Sequence, residues 1–204
     1  MAMISLSNLK IIRGGRTVIS NFSVEIEQAT ITAIVGPNGC GKSSLLGAMA
    51  GDIALAQGEI LFDGRNLKSM PLQEQAALRS VVMQNRNYWL SYSAADVIGM
   101  GQSEDARSRM PSIISELNMG EYVDQSVTTL SGGEAQRVEI ARALIRDTEI
   151  YLLDEPLASQ DSRSKERIIA ALQRLKAEGK TIVIIAHVDR HSLGWCDQVI
   201  ELNP

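Results

Sequence analysis

A glycine-rich segment around residue 40 has the residue types and the spacing that bind phosphate groups. Its letters are GPNGCGKSS, and they fit the pattern G-x-x-x-x-G-K-[ST] between a buried-type strand and a helix. Glycines let the backbone turn tightly, so that several N–H groups point at phosphate oxygens, while the lysine adds a mobile positive charge. The serine after the lysine offers a hydroxyl to Mg²⁺. The predicted phosphate-binding residues are Gly36, Pro37, Asn38, Gly39, Cys40, Gly41, Lys42, Ser43 and Ser44. Kinases, GTPases and ATPases all use such a loop, which therefore does not distinguish them.

Two adjacent carboxylates follow a second apolar strand, in the segment IYLLDEP of residues 150–156. Side chains at the carboxyl end of a strand emerge at the ligand crevice of an open α/β sheet. We therefore expect Asp154 to hold Mg²⁺, directly or through water, and Glu155 to activate the attacking water as general base. Taken alone, the two acids fit the start of a surface loop equally well.

A third motif, LSGGEAQ at residues 130–136, precedes a helix with apolar residues at helical spacing. Ser131 and Glu134 form an S-x-x-E capping box, so an ordinary capped helix is one interpretation. The other interpretation rests on Gly132 and Gly133, which leave the N–H groups of the helix terminus open to a phosphate.

Strands and helices alternate around these motifs. Strands are predicted at residues 22–27, 31–35, 59–62, 80–83, 150–153 and 181–186, with a turn at Asp63–Gly64. Helices are predicted after the phosphate loop, after LSGGEAQ and around residues 168–175, while residues 86–130 have a more polar helical pattern. This alternation predicts an α/β fold with a largely parallel sheet.

Composition narrows the functional classes. The 204 residues carry a formal net charge of -4, and an acidic chain is a poor candidate for binding nucleic acid. No apolar run reaches the roughly 18 residues of a membrane span, and residues 1–10 lack the pattern of a signal peptide. We therefore expect a cytoplasmic protein, in which the two cysteines remain reduced.

The LSGGEAQ segment resembles the signature motif of ABC ATPases. The segments GPNGCGKS and YLLDEP and the downstream His187 follow the family's order, so the resemblance covers essentially the whole chain. It implies a P-loop NTPase fold with a RecA-like core, residues 1–83 and 131–204, that includes the ABC β-subdomain. A small α-helical subdomain, residues 84–130, would be inserted into this single domain. It also implies hydrolysis of ATP with Mg²⁺ as cofactor.

The resemblance assigns further roles, because in this family two ATPase domains enclose two ATP molecules head to tail. The residues implied to contact the ATP of the partner subunit are Ser131, Gly132, Gly133 and Glu134. Gln84 matches the glutamine that reaches Mg²⁺ and water, and His187 matches the histidine that contacts the γ-phosphate. Asp161 matches an aspartate at the dimer seam, and capping of the next helix is a compatible role.

Two positions depart from the family's pattern. Members usually carry an aromatic residue that stacks on adenine, but here the register places Arg13, whose guanidinium can stack on a base. The usual leucine before the dimer-seam aspartate is replaced by Gln160. The departure at Arg13 bears on ATP affinity and base preference.

A cassette of this kind resembles the energising subunit of a bacterial importer, docked on separate membrane permeases at the inner face of the membrane. Docking is predicted at residues 84–101, where Tyr88, Trp89 and Tyr92 lie, although these aromatics equally fit the interior of the helical subdomain. Loose similarity favours importers of iron chelates, haem or cobalamin, with a solute-binding protein and a second ATPase subunit, identical or different, in the complex. The alternatives are a soluble ABC protein without a transport role and a small-molecule kinase.

Overall fold

The computed structural model describes residues 2–84, 90–187 and 190–202. The strands are β1 (Ala2–Arg13), β2 (Arg16–Glu27), β3 (Ile31–Val35), β4 (Gln57–Phe62), β5 (Arg65–Asn66), β6 (Arg79–Val82), β7 (Ile150–Asp154), β8 (Thr181–Ile185) and β9 (Gln198–Glu201). The α-helices are α1 (Lys42–Met49), α2 (Leu72–Leu78), α3 (Ala94–Gly99), α4 (Glu104–Ser108), α5 (Met110–Glu116), α6 (Gly132–Leu144) and α7 (Ser162–Ala177). Short 3₁₀ helices span Leu67–Ser69, Val127–Thr129 and Arg190–Leu193.

The strands form two sheets. An antiparallel sheet has the order β2-β1-β4-β5, and a parallel sheet has the order β6-β7-β8-β3-β9. Ile185 of β8 lies between Ile34 of β3 and Asp154 of β7 in register. The carboxyl ends of β3, β7 and β8 are therefore level, which brings the loops that follow them to one edge of the sheet.

Both faces of the parallel sheet are buried. Alternate residues of β7, such as Tyr151 and Leu153, face one hydrophobic cluster that also contains residues of α3, α5, α6 and α7. Ile150 and Leu152 face a second cluster, which lies between this sheet, α1 and the antiparallel sheet. Successive side chains of a strand alternate between two faces, and here both faces are buried. The sequence of each strand is therefore a continuous apolar run.

The α/β prediction and its elements are confirmed, with four additions. Strands occupy all six predicted positions, and Asp63 and Gly64 both have positive φ, as a tight hairpin turn requires. The strands β1, β5 and β9 and the helix α2 lie outside the predicted residue ranges. Of the helical stretch predicted at 86–130, residues 86–89 lie outside the described part, and α3, α4 and α5 fall in the remainder. The division into core and helical subdomain at residues 84 and 130 stays a prediction.

Within the described ranges, no helix combines the length and the apolar character that crossing a bilayer requires.

Candidate nucleotide-binding site

A cavity of about 610 Å³ opens at the carboxyl edge of the parallel sheet. Three parts of the chain contribute to it: the phosphate loop, the loops after β6, β7 and β8, and one residue of β2. The lining residues are Val18, Asn38, Gly39, Gly41, Lys42, Ser43, Ser44, Gln84, Glu155 and His187. Motifs up to 149 positions apart in the sequence, from Asn38 to His187, therefore meet in one place, as the motif order predicted.

The path of the phosphate loop depends on glycines with positive φ. Gly36 has φ 152, and a Cβ atom there would overlap the carbonyl oxygen of Leu202. Gly41, with φ 103, precedes α1 and leaves only 3.0 Å between a hypothetical Cβ and the Val18 carbonyl oxygen. Because both positions combine unusual backbone angles with close packing, side chains are excluded and the loop amides can face the cavity.

Lys42 is the buried cation of this loop. Its side chain is 5% exposed, and its ammonium donates hydrogen bonds of 2.9 Å to the carbonyl oxygens of Gly36 and Pro37. These bonds hold the charge over the loop, beside the amides that line the cavity. An ammonium in this position can contact phosphate oxygens that bind there.

The donor set at Asp154 fits Mg²⁺. Asp154 is 1% exposed, and among the described residues its Oδ1 has no hydrogen-bond partner. Burial raises the pKa of Asp154, and hydrogen bonding from the Ser43 hydroxyl opposes that rise. Hard oxygen donors of this kind suit Mg²⁺, which also keeps phosphate and water ligands. In the described residues no group of three or more His, Cys, Asp or Glu side chains forms a separate metal site.

Glu155 and His187 are in contact at the mouth of the cavity. The Glu155 Oε1 lies 2.7 Å from the His187 Nε2, and the two side chains are 14% and 37% exposed. Glu155 has φ 50, a region that non-glycine residues seldom occupy, and its N–H donates to the Ile185 carbonyl oxygen at 3.2 Å. This unusual backbone conformation occurs directly after β7, at a residue whose side chain lines the cavity.

The signature segment forms the predicted capping box at the start of α6. Ser131 Oγ accepts from the Glu134 N–H at 3.3 Å, while the Ser131 N–H donates to Glu134 Oε2 at 2.9 Å. The hydrogen bonds from Ser131 lower the pKa of Glu134. Gly132 is exposed, and Gly133 is buried. Since this segment does not line the cavity described above, its predicted role requires a nucleotide held by another subunit.

Asp161 caps α7, which is the helix-capping role predicted as compatible with a position at the dimer seam. Its Oδ1 accepts from the Ser164 N–H at 2.9 Å, and these hydrogen bonds lower the pKa of Asp161. Gln160, beside it, is 7% exposed and is hydrogen-bonded at both ends of its amide, a feature that the sequence did not reveal.

Four predicted ATP-binding residues lie apart from the main cavity lining. Cys40 is 5% exposed, and its side chain packs in the cluster beneath the phosphate loop. Gly36 and Pro37 line a neighbouring cavity beside His187. Arg13 is exposed at the end of β1, paired with Arg16, and its role in stacking on adenine stays a prediction. Val18 of β2 is a lining residue that the motifs did not indicate.

Relatives of known class resemble this chain in sequence, and a solved structure shares its fold. It is 34% identical over 201 residues to the zinc transport system ATP-binding protein TroB of Treponema pallidum, covering 92% of this chain and 73% of that protein. It is 30% identical to the hemin import ATP-binding protein HmuV of Pseudomonas entomophila, with 98% and 83% covered. A dimeric ATP-binding cassette bound to ADP and Pi superposes with a TM-score of 0.87 at 24% identity, over 98% of this chain and 94% of that one.

The fold and the site define a P-loop ATPase, with a phosphate loop on a parallel sheet and paired carboxylates at the neighbouring strand. A match to the ABC transporter family covers residues 19–158. The chain belongs to the ABC transporter family, and within that family it is an ATP-hydrolysing, energising subunit. The predictions of the family, the P-loop fold and the ATPase activity are therefore confirmed.

Proposed function

We propose that this chain hydrolyses ATP at the cavity beside the phosphate loop and, as a head-to-tail dimer, drives import through separate membrane permeases. The observation that carries the proposal is the placement of Glu155 and His187, 2.7 Å apart, in the same cavity as Lys42. A base, its polar neighbour and the phosphate-binding cation thereby converge where the γ-phosphate would lie.

The geometry supports an in-line attack of water. Glu155 takes a proton from water as the oxygen bonds to the γ-phosphorus and the bond to the ADP oxygen breaks, which gives ADP and phosphate. His187 orients Glu155 and contacts the γ-phosphate, and Lys42 neutralises phosphate charge. Asp154, Ser43 and Gln84 would hold Mg²⁺, which neutralises charge on the β- and γ-phosphates when bound.

The signature segment acts on the ATP of the partner subunit. Ser131 and Gly132 are exposed at the start of a 13-residue helix, so its N–H groups and the positive end of its dipole face outward. Glu134 keeps this terminus capped, and Asp161 lies at the seam on the neighbouring loop. Two ATP molecules would each lie between one phosphate loop and the other subunit's signature segment.

Permease docking is proposed at residues 84–101. The exposed large apolar side chains among the described residues include Leu90 at 59%, Tyr92 at 43% and Met100 at 44%. These three lie close together in the sequence, next to Gln84 of the nucleotide site. Apolar and aromatic side chains that are exposed together are typical of interaction surfaces. Tyr88 and Trp89, also predicted to take part, lie outside the described residues.

The transported solute is proposed to be a metal ion or a metal chelate such as haem. The relatives that support this are named for zinc transport and for hemin import. A solute-binding protein would then belong to the complex, and this subunit would lie on the cytoplasmic face of the membrane.

The test uses the variant Glu155→Gln, which keeps the side chain's shape but removes the base. We expect it to bind ATP normally, to lose nearly all turnover and to accumulate as an ATP-bound dimer. The tagged variant, incubated with MgATP, is used to pull partners from detergent-solubilised native membranes, and mass spectrometry identifies them. The control is Glu166→Gln, an exposed glutamate of α7.

Recovery of a polytopic permease supports the transport role, and a co-purified solute-binding protein supports import. Recovery of soluble partners alone contradicts the transport role but not the hydrolytic site. Wild-type turnover in Glu155→Gln contradicts the assignment of Glu155 as the base.

A further inference from the structure

Gln160 connects the signature segment, at the start of α6, to the segment 155–161. Both segments take part in the proposed dimer. Its amide nitrogen donates to the carbonyl oxygen of Gly133 at 2.9 Å, and its amide oxygen accepts from the Arg137 guanidinium at 2.7 Å. Because the side chain is 7% exposed, both bonds are shielded from water and both ends of the amide are satisfied. The signature segment and the loop that follows Glu155 are therefore joined by a single side chain.

Arg137 anchors this connection to the rest of the molecule. Its Nη1 also donates to Ser164 Oγ at 3.0 Å, and its Nε donates to the Tyr122 hydroxyl at 2.7 Å. The guanidinium carbon lies 5.4 Å from the centre of the Tyr122 ring. Ser164 Oγ in turn donates to Asp161 Oδ2 at 2.8 Å. The network thus reaches from the first turn of α6 to the first turn of α7.

The two loops are also packed tightly against each other. A Cβ atom on Gly133 would lie 2.6 Å from the carbonyl oxygen of Ser159, so the backbones approach as closely as a glycine allows. Ser159 has φ 58, an unusual conformation for a residue other than glycine. Contact and hydrogen bonding together fix the distance between the signature segment and the segment 155–161.

We propose that Gln160 is a positioning residue that holds residues 131–133 and residues 155–161 as one unit. The partner's nucleotide, engaged by the first segment, is thereby coupled to Asp161 at the seam and to the placement of Glu155. This inference rests on the proposed head-to-tail dimer. Gln160 therefore acts in the ATP-driven association of two subunits and not in the binding of ATP by one subunit.

A leucine at this position is the informative substitution. Leucine is close in size to glutamine and suits a buried site, so Gln160→Leu removes two hydrogen bonds without leaving a large cavity. Arg137 keeps its bonds to Ser164 and Tyr122. The fold should therefore survive, while the two segments lose their polar connection.

The experiment compares Glu155→Gln with Glu155→Gln/Gln160→Leu, both as full chains with MgATP. Sedimentation measures dimer formation, and a fluorescent ATP analogue measures binding by dilute monomer. We expect unchanged monomer affinity. The protein concentration for half-dimerisation should rise about ten- to thirty-fold, because the dimer must then order two segments that the lost hydrogen bonds no longer hold together. Gln173→Leu, at an exposed glutamine of α7, is the matched control and should leave both values unchanged.

The variant Gln160→Glu tests the two hydrogen bonds of Gln160 separately. Its carboxylate can still accept from Arg137, but its other oxygen would face the Gly133 carbonyl oxygen and repel it. We expect this variant to dimerise at least as poorly as Gln160→Leu. Equal dimerisation by all Gln160 variants and the parent overturns the inference, as does wild-type behaviour of Gln160→Glu. If the Glu155→Gln parent itself stays monomeric with MgATP, the head-to-tail dimer is wrong, and the inference falls with it.

Discussion

At the residue scale, the two glycines of the signature segment have different surroundings. In the described part of the chain, no heavy atom outside the adjoining backbone lies within 4 Å of a Cβ built on Gly132. A Cβ on Gly133, by contrast, lies 2.6 Å from the Ser159 carbonyl oxygen. Neither residue has positive φ, so alanine is compatible with the backbone at both positions. The difference between them lies in the space around each side-chain position.

We predict that Gly132→Ala leaves the isolated chain intact and lowers ATPase activity more than ten-fold. The added methyl group occupies open space in one subunit but would intrude on the partner's phosphate in the dimer. Gly133→Ala should lower activity and also lower the free energy of unfolding by about 1–3 kcal/mol, because its methyl group overpacks against residue 159. Steady-state phosphate release and urea unfolding measure the two effects.

Two outcomes would contradict this prediction. If Gly132→Ala retains wild-type activity at every protein concentration, the exposed glycine does not face a phosphate. If both variants unfold at the same urea concentration as the wild type, the contact between residues 133 and 159 is not as tight as the structure shows.

The chemistry of individual residues was largely predictable from sequence, because local runs of the chain carry it. The phosphate loop reads GPNGCGKS, and the carboxylates Asp154 and Glu155 are adjacent in sequence. Gln160 was noticed only as a departure from a pattern. Its partners Arg137 and Gly133 lie more than 20 positions away, and no short motif records such a contact.

At the element scale, β9 is held in place by one aspartate. The Asp197 carboxylate accepts from the Ile31 N–H at 2.8 Å and from the Lys176 ammonium, while its own N–H donates to the Ile31 carbonyl oxygen at 2.9 Å. Burial alone would raise the pKa of Asp197, but the hydrogen bonds from Ile31 and Lys176 lower it. The carboxylate thus starts the parallel pairing of β3 with β9, the strand that precedes Leu202.

We predict that Asp197→Asn lowers the free energy of unfolding at pH 7 by about 1–2 kcal/mol, the contribution of a charged hydrogen bond. The melting temperature should fall by about 2–4 °C per kcal/mol in a chain of this length. A pKa depressed by folding contributes stability above the unfolded pKa of about 3.9, and that stability is lost as the pH falls through the folded pKa.

Thermal unfolding between pH 3 and pH 7 measures this difference. The gap between wild type and Asp197→Asn should narrow as the pH falls, and Asp124→Asn, at an exposed aspartate, serves as the control. A gap that stays constant across this range would show that the charge of Asp197 does not matter.

The elements missed by sequence analysis were missed for physical reasons. In β1, Ile4 and Leu6 alternate and Leu9 and Ile11 alternate, but the two pairs are out of phase. A register irregularity between Leu6 and Leu9, with Asn8 at φ 52, breaks the period-two pattern along the strand. The helix α2 has seven residues and exposes Leu72, so it lacks a clear apolar stripe.

At the scale of the whole molecule, one chain holds both halves of a site but not in the same place. The phosphate loop lines the cavity at the carboxyl edge of the sheet, whereas Ser131 and Gly132 are exposed at a separate helix terminus. In a two-fold symmetric dimer each site takes its phosphate loop from one subunit and its signature segment from the other. Defects in the two halves should therefore complement each other.

We predict that mixing Lys42→Ala with Gly132→Ala restores ATPase activity that neither variant has alone. Lys42→Ala removes the phosphate-binding cation, so it should bind ATP poorly. A mixed dimer still contains one intact site, made from the phosphate loop of Gly132→Ala and the signature segment of Lys42→Ala. Random pairing at equal concentrations should give about a quarter of the wild-type activity if the two sites work independently. Phosphate release is measured over a range of mixing ratios and protein concentrations.

The shape of the mixing curve decides between arrangements of the site. A head-to-tail dimer gives a maximum at equal amounts, and activity per subunit rises with protein concentration because association is required. A site completed within one subunit gives no activity at any ratio, because each chain then carries its own defect. The double variant Lys42→Ala/Gly132→Ala mixed with either single variant is the control, since no combination of those chains contains an intact site.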